Sequence, residues 1–233
     1  MDLPVWQELR TGLHPKGLEI VTVALDTGGS EVARPWIEAA RPEHPSLIDA
    51  GHVVDERLGV VNVPNAVWID EHGMIVRPAE PAWPGRTPVL DMLDDFEIPP
   101  ERAAVRDEVR KMRIDPDRYL AMVLDWAELG AASRYALDPE EVIARSRPRS
   151  LDVARAAAHF ELGQHLHRNG GHDAAVTHWR EAHRLDPDNW TYKRQAWSLE
   201  SFDSVGPTNA YDGSWLSDVR AIGAQNYYPS LEP

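Results

Sequence analysis

Prolines at 78, 81, 84, 88, 99 and 100 cut this 233-residue chain into two unlike parts. Proline lacks a backbone N–H and holds φ near about −65°, so neither a long helix nor the middle of a sheet runs easily through such a stretch. The hydrophobic period changes across it. Before it, apolar residues fall in short runs; after it, every sizeable segment repeats with helical spacing. Residues 78–100 therefore read as a boundary, with a helix expected over 88–96.

In the first part, apolar groups at 3, 5, 6, 9 and 13 have the spacing of one helix face. Gly17 breaks that helix, and 19–25 is apolar and β-branched enough for a buried strand. Residues 26–30 form a turn whose Ser30 is suited to N-cap a helix over 31–40. A short strand follows at 45–49, then a short helix at 53–59. Strands at 65–70 and 74–77 are joined by the hairpin turn Glu71-His72-Gly73. The order α-β-α-β-α-β-β is an α/β pattern. Beyond the boundary, 101–112, 116–130, 139–146, 151–168, 172–185 and 188–201 are helical in period. The tail, with Tyr211, Trp215, Tyr227 and Tyr228, shows little periodicity. It is expected to wrap over the helices, because so many large aromatics gain from burial. Trp6, Trp36, Trp126 and Trp179 also sit at core spacing.

Charge and composition remove several classes of function. The formal net charge is −14, of which residues 1–99 carry −10 and residues 100–233 carry −4. So acidic a surface repels phosphate backbones and anionic lipid, which excludes nucleic acid and membrane surfaces as expected partners. No run is long enough to span a bilayer. No basic stretch followed by an apolar block opens residues 1–15, so the cytoplasm is the expected location of this chain, export of a longer form staying open. The chain has no cysteine. It therefore offers no thiolate nucleophile, disulfide or thiolate-ligated metal.

Three blocks of the first part carry a family likeness: Asp2-Leu3-Pro4, the run from Gly17 to Asp26 with Pro45–Asp49 after it, and the segment from Leu58 to Val76. The last contains Gly59-Val60-Val61-Asn62-Val63-Pro64. In these blocks the chain resembles thioredoxin-like redoxins of the TlpA/ResA type. The resemblance implies a thioredoxin-like α/β domain over 1–84 and thiol–disulfide oxidoreductase ancestry. It makes Pro64 the candidate cis-proline, with Val63 offering backbone to an extended substrate. Asn65 stands where the family usually has threonine. In the family a central strand and the CxxC motif come just before the residues matching Asp2-Leu3-Pro4. Two readings follow: a strand–CxxC piece upstream of Met1, or a lost redox centre. The first is favoured, because removing a central strand orphans backbone groups on both its neighbours at about 1–3 kcal/mol for each one buried. Either way this chain has no catalytic dithiol, and the strands at 19–25 and 65–70 are expected to stand exposed or to drive self-association into a homo-oligomer.

Residues 156–189 resemble one tetratricopeptide repeat (TPR). Leu162-Gly163, Leu166, Gly170, Ala175, Trp179, Ala182 and Pro187 fall on the positions of that repeat. The spacing has a physical cause: Gly163, Ala175 and Ala182 let two helices approach, while Leu162, Leu166 and Trp179 fill the groove between them. A single repeat leaves apolar faces open, so neighbours must cover it. The resulting organisation is a thioredoxin-like domain over 1–84, a helical connector over 85–150, a TPR-type repeat with a capping helix over 151–204, and an aromatic tail over 205–233.

Other constellations point to no chemistry. Histidines 159, 165, 167, 172, 178 and 183 lie 6, 2, 5, 6 and 5 residues apart, intervals that scatter around a helix instead of sharing a face. No metal site is expected from them. Asp94-Asp95 and Glu140-Glu141 are adjacent, so each pair points apart on a helix. No cofactor motif is present. The functional expectation is a redox-inactive protein of oxidoreductase ancestry whose helical part binds a protein or peptide; the alternative is a scaffold in which both parts only bind partners.

Overall fold

A computed structural model describes residues 3–85, 100–146, 148–200 and 209–231. It is a small α/β part followed by a larger helical part. Helix α1 (Leu3–Leu13) buries Leu13 at its end. Strand β1 (Thr22–Leu25) pairs in parallel with β2 (Ser46–Asp49), Thr22 opposite Ser46 and Leu25 opposite Asp49. Helix α2 (Ser30–Ala40) lies between them in the chain, and α3 (Val53–Leu58) follows β2. Strands β3 (Asn65–Ile69) and β4 (Ile75–Pro81) form a separate antiparallel hairpin. Its turn is held by the Asp70 carboxylate, which accepts from the backbone N–H of His72 (2.9 Å) and Met74 (2.8 Å). The expected helix over 88–96 and the Asp94-Asp95 pair lie outside the described residues.

Four expectations need correction. Ser30 does not cap α2: Gly29 takes the cap position with φ +64°, and Ser30 begins the first turn with no side-chain cap bond. The φ value explains the choice, since only glycine enters that conformation without a steric cost. Trp36 is 53% exposed, although it stands one turn from Ala33, the buried residue of α2. The run 19–25 is not a buried strand. Every position of β1 is only half-buried, and Val21 before it is 52% exposed. Residues 78–81 are not boundary but part of β4, with Pro81 opposite Asn65. Register shifts fall on either side of Trp68, the first where Pro78 and Ala79 together stand opposite Val67.

Helices α4 (Pro100–Val109), α5 (Pro116–Leu129) and α6 (Pro139–Ser146) carry the chain onward. The expected connector is in fact a wall of the first core. Tyr119, Met122 and Val123 of α5 bury against Trp68, Leu13 and Ala82. Trp126 stacks on Trp68 with ring centroids 4.7 Å apart.

Helices α7 (Leu151–Arg168) and α8 (His172–Leu185) make a tight hairpin, and α9 (Trp190–Glu200) follows. Gly163 explains how closely α7 and α8 approach. A Cβ there would lie 2.4 Å from Trp179 Nε1, so any larger residue collides with the indole. Ala175, Trp179 and Ala182 of α8 are fully buried against it. Gly170 turns the chain at φ +81°, and Gly171 N–H then closes on Leu166 C=O at 2.9 Å. Leu162 departs from the expectation. It is 42% exposed, because the inward row of α7 runs through Ala156, Phe160, Gly163 and Gln164.

The tail wraps as expected but is more regular than its sequence suggests. Ser214 and Ser217 form a reciprocal capping box that starts a helix, α10 (Trp215–Ile222). Tyr211, Trp215, Tyr227 and Tyr228 are all buried in the second core, and Trp83 joins them there, edge-on to Tyr228 at 5.4 Å.

Two measurements probe this core. Trp179→Ala should cost about 3–5 kcal/mol by emptying a fully buried aromatic site, and Gly163→Ala about 1–3 kcal/mol by overpacking it; urea melts followed by circular dichroism report both. His183 sits among Trp197 and Tyr211, and burial lowers its pKa from 6.5 to about 4. The folded state therefore holds this imidazole neutral where the unfolded chain would protonate it. Its contribution is intact above pH 6.5 and is lost as pH falls from there towards 4. Urea midpoints in that window should fall less steeply for His183→Phe than for the parent chain.

Candidate functional site: a cleft between two open strands

The four strands do not make one sheet. β1 pairs with β2 and β3 with β4, while β1 and β3 remain unpaired with one another. Between them opens a cleft of about 630 Å³ lined by β1, β3, α1 and the Trp68–Trp126 stack. Its wall is mainly apolar, with Leu9, Leu18, Val23, Leu58 and Val67 among its residues.

Backbone alternation sets which groups face it. Thr22 and Asp26 donate their N–H groups to Pro45 and Asp49 on the β2 side. Successive residues of a strand point their N–H and C=O to opposite edges, so Val23 and Leu25 present theirs to the cleft. On β3, Pro64 C=O and Asp70 N–H bond towards the β4 side. Asn65, Val67 and Ile69 therefore face the cleft. Among the described residues no backbone hydrogen bond closes on these cleft-facing groups. Asn65 Oδ1 is likewise buried at the wall without a partner among the described residues.

The loop before β3 is locked from the other side. The Val63–Pro64 peptide is cis. The backbone of Val63 is not on offer to a ligand, contrary to expectation, because both its polar groups are engaged. Its N–H donates to Asn62 Oδ1 (2.9 Å), and its C=O accepts from the Tyr228 hydroxyl (3.0 Å). Trp190 and Thr191, at the start of α9, donate their N–H groups to Val61 C=O at 2.7 and 3.1 Å. The free backbone thus begins one residue beyond the proline, at Asn65.

A buried polar knot fastens the β1–β2 side to the helices. Gln195 Oε1 of α9 accepts from Thr27 N–H (3.0 Å) and faces His52 Nε2 at 3.2 Å. The other His52 nitrogen meets Asp55 Oδ2 at 2.9 Å, and Gln164 Nε2 donates to Thr27 Oγ1 at 3.1 Å. His52 also packs edge-on to Phe160. Asp55 and Glu19 are the carboxylates lining the cleft, and no Lys or Arg lines it among the described residues. Glu19 is held at a pKa of about 2 by its hydrogen bond from Arg10, at 2.6 Å. Burial pushes the Tyr119 hydroxyl, which accepts from Trp68 Nε1, well above its ordinary pKa.

The residues singled out on the helical hairpin fall together as a packing cluster. Gly163, Ala175, Trp179 and Ala182 meet between α7 and α8, Leu166 is half-buried beside them, Gly170 makes the turn, and Pro187 is exposed in the next turn. Leu162 stays outside. The histidines are less scattered than their intervals suggest. His159 meets His178, and His167 meets His172, each pair with Nδ1 atoms 2.9 Å apart. Intervals along one helix miss this, because each pair joins one histidine of α7 to one of α8 across the turn at Gly170. Among the described residues no three His, Asp or Glu side chains converge on a metal position, and no helix is long and apolar enough to cross a membrane.

No family model, curated protein or solved structure matches this chain.

Gln195→Ala tests the knot. It leaves Thr27 N–H and a His52 ring nitrogen buried without their partner and should cost about 1–3 kcal/mol. A urea midpoint equal to that of the parent would show that the knot does not hold the two parts together.

Proposed function

We propose that this chain is a thioredoxin-like protein of thiol–disulfide oxidoreductase ancestry that, lacking cysteine, binds other proteins instead of exchanging disulfides. The observation that carries the reading is the cleft between β1 and β3. Apolar walls with backbone that no described residue pairs on two sides match what a polypeptide offers, namely side chains and a regular row of amides. The two carboxylates that line it are already engaged, Glu19 by Arg10 and Asp55 by His52. The helical hairpin, with its repeat-like packing of Gly163 against Trp179, supports a second role in recognition.

Disulfide exchange needs an attacking thiolate, and this chain supplies none. In an insulin-reduction assay with dithiothreitol it should match the protein-free blank. A reduced, carboxymethylated unfolded protein should change the fluorescence of Trp68 and Trp126 saturably. Turnover above the blank, or no saturable change, overturns the reading.

A further inference from the structure

We propose that the cleft is completed by one extended strand from a separate polypeptide, an apolar segment of four to five residues flanked by Lys or Arg. The inference rests on the protein-binding reading above and names the ligand of that site.

The length follows from the walls. β1 has four residues and β3 five, which at about 3.3 Å per residue span the reach of four to five residues of extended chain. The backbone follows from the groups on offer. Val23 and Leu25 on one side, and Asn65, Val67 and Ile69 on the other, carry N–H and C=O groups that no described residue satisfies. An inserted strand answers both rows at once, because its own amides alternate left and right with the same period. A helix has no free amides to give, and a small apolar ligand would leave both rows unmet.

Asn65 Oδ1 is an independent sign, a buried acceptor at the wall awaiting a donor. The side chains of the ligand follow from the lining. Leu9, Leu18 and the Trp68–Trp126 stack are apolar, and alternating apolar residues would bury against them. The flanks follow from charge. The cleft is lined by Glu19 and Asp55, each already paired, and by no described Lys or Arg, while the described residues 3–85 that build it hold 12 acidic against 6 basic side chains, a net of −6. A basic-flanked strand is drawn to that field. A second copy of this acidic chain is repelled by it.

The probe is an acetylated, amidated peptide, Lys-Lys-Val-Ile-Val-Val-Val-Lys-Lys, titrated into the full chain in 50 mM salt. Three control peptides carry proline at the central position, N-methyl groups on alternate amides, or Glu in place of every Lys. The readouts are Trp fluorescence, light scattering and hydrogen exchange at single amides. Expected is saturable one-to-one binding, weakened at least tenfold by the proline or the N-methyl groups and at least threefold by Glu. Exchange at Val23, Leu25, Val67 and Ile69 should slow on binding. Val67→Pro, which removes one cleft-facing N–H and leaves the bonds towards β4, should weaken binding by a similar factor; the N-methyl peptide makes the same test without altering the protein. Equal binding of the strand and proline peptides, with no new exchange protection, would overturn strand insertion while leaving protein binding intact. Dimers of the chain that protect those amides without peptide would overturn the separate partner in favour of a second copy. If neither the peptide nor the unfolded protein binds, the reading of the site itself fails.

Discussion

The side-chain amide of Gln195 fastens the β1–β2 sheet to the helical part. Two small sheets that share no hydrogen bonds would ordinarily collapse on one another or separate. Here each is tied to the helical part instead. Gln195 and Gln164 bind Thr27 and His52 on the β1–β2 side. Tyr228, Trp190 and Thr191 bind Val61 and Val63 on the β3 side. The bonds of Gln195 and Gln164 are buried, where a polar group without a partner is costly and a satisfied one is correspondingly specific, and the Tyr228 bond is half-buried. The cleft is thus an opening framed by the helices and not a gap in packing.

That frame depends on the second core. Trp179 against Gly163 sets the spacing of α7 and α8, and the spacing sets where α9 can lie. The tail closes the apolar face that one helical hairpin leaves open, through Tyr211, Trp215 and Tyr227. Tyr228 does double duty: its ring packs with Trp83, while its hydroxyl reaches the Val63 carbonyl. Tail and hairpin share the second core, while the first core draws on both sides of the proline-rich boundary, with Leu13 and Trp68 before it and Tyr119 and Met122 after it.

Much of the secondary structure is legible in the sequence because it rests on local rules. The helices at 139–146, 151–168 and 172–185 have the bounds that their periodicity implies. Gly59 and Gly170 end or turn the chain where glycine alone is at ease. The burial of Gly163, Ala175, Trp179 and Ala182 is legible from the spacing of small and large residues on two facing helices. The exposure of Trp36 and Leu162 is not: both fit an apolar period, yet they are 53% and 42% exposed. The engaged backbone of Val63 is equally hidden, since its partner lies 165 residues away.

The sequence by itself determined the absence of thiol chemistry, the acidic field and the order of the elements, because these depend on residue identity and near neighbours alone. Only the tertiary structure decided that β1 and β3 stand apart, that their free amides face one cleft, and that four histidines meet in pairs. Each of those facts is a distance between segments far apart in the chain, and such distances are set by which faces find a partner when the whole chain packs.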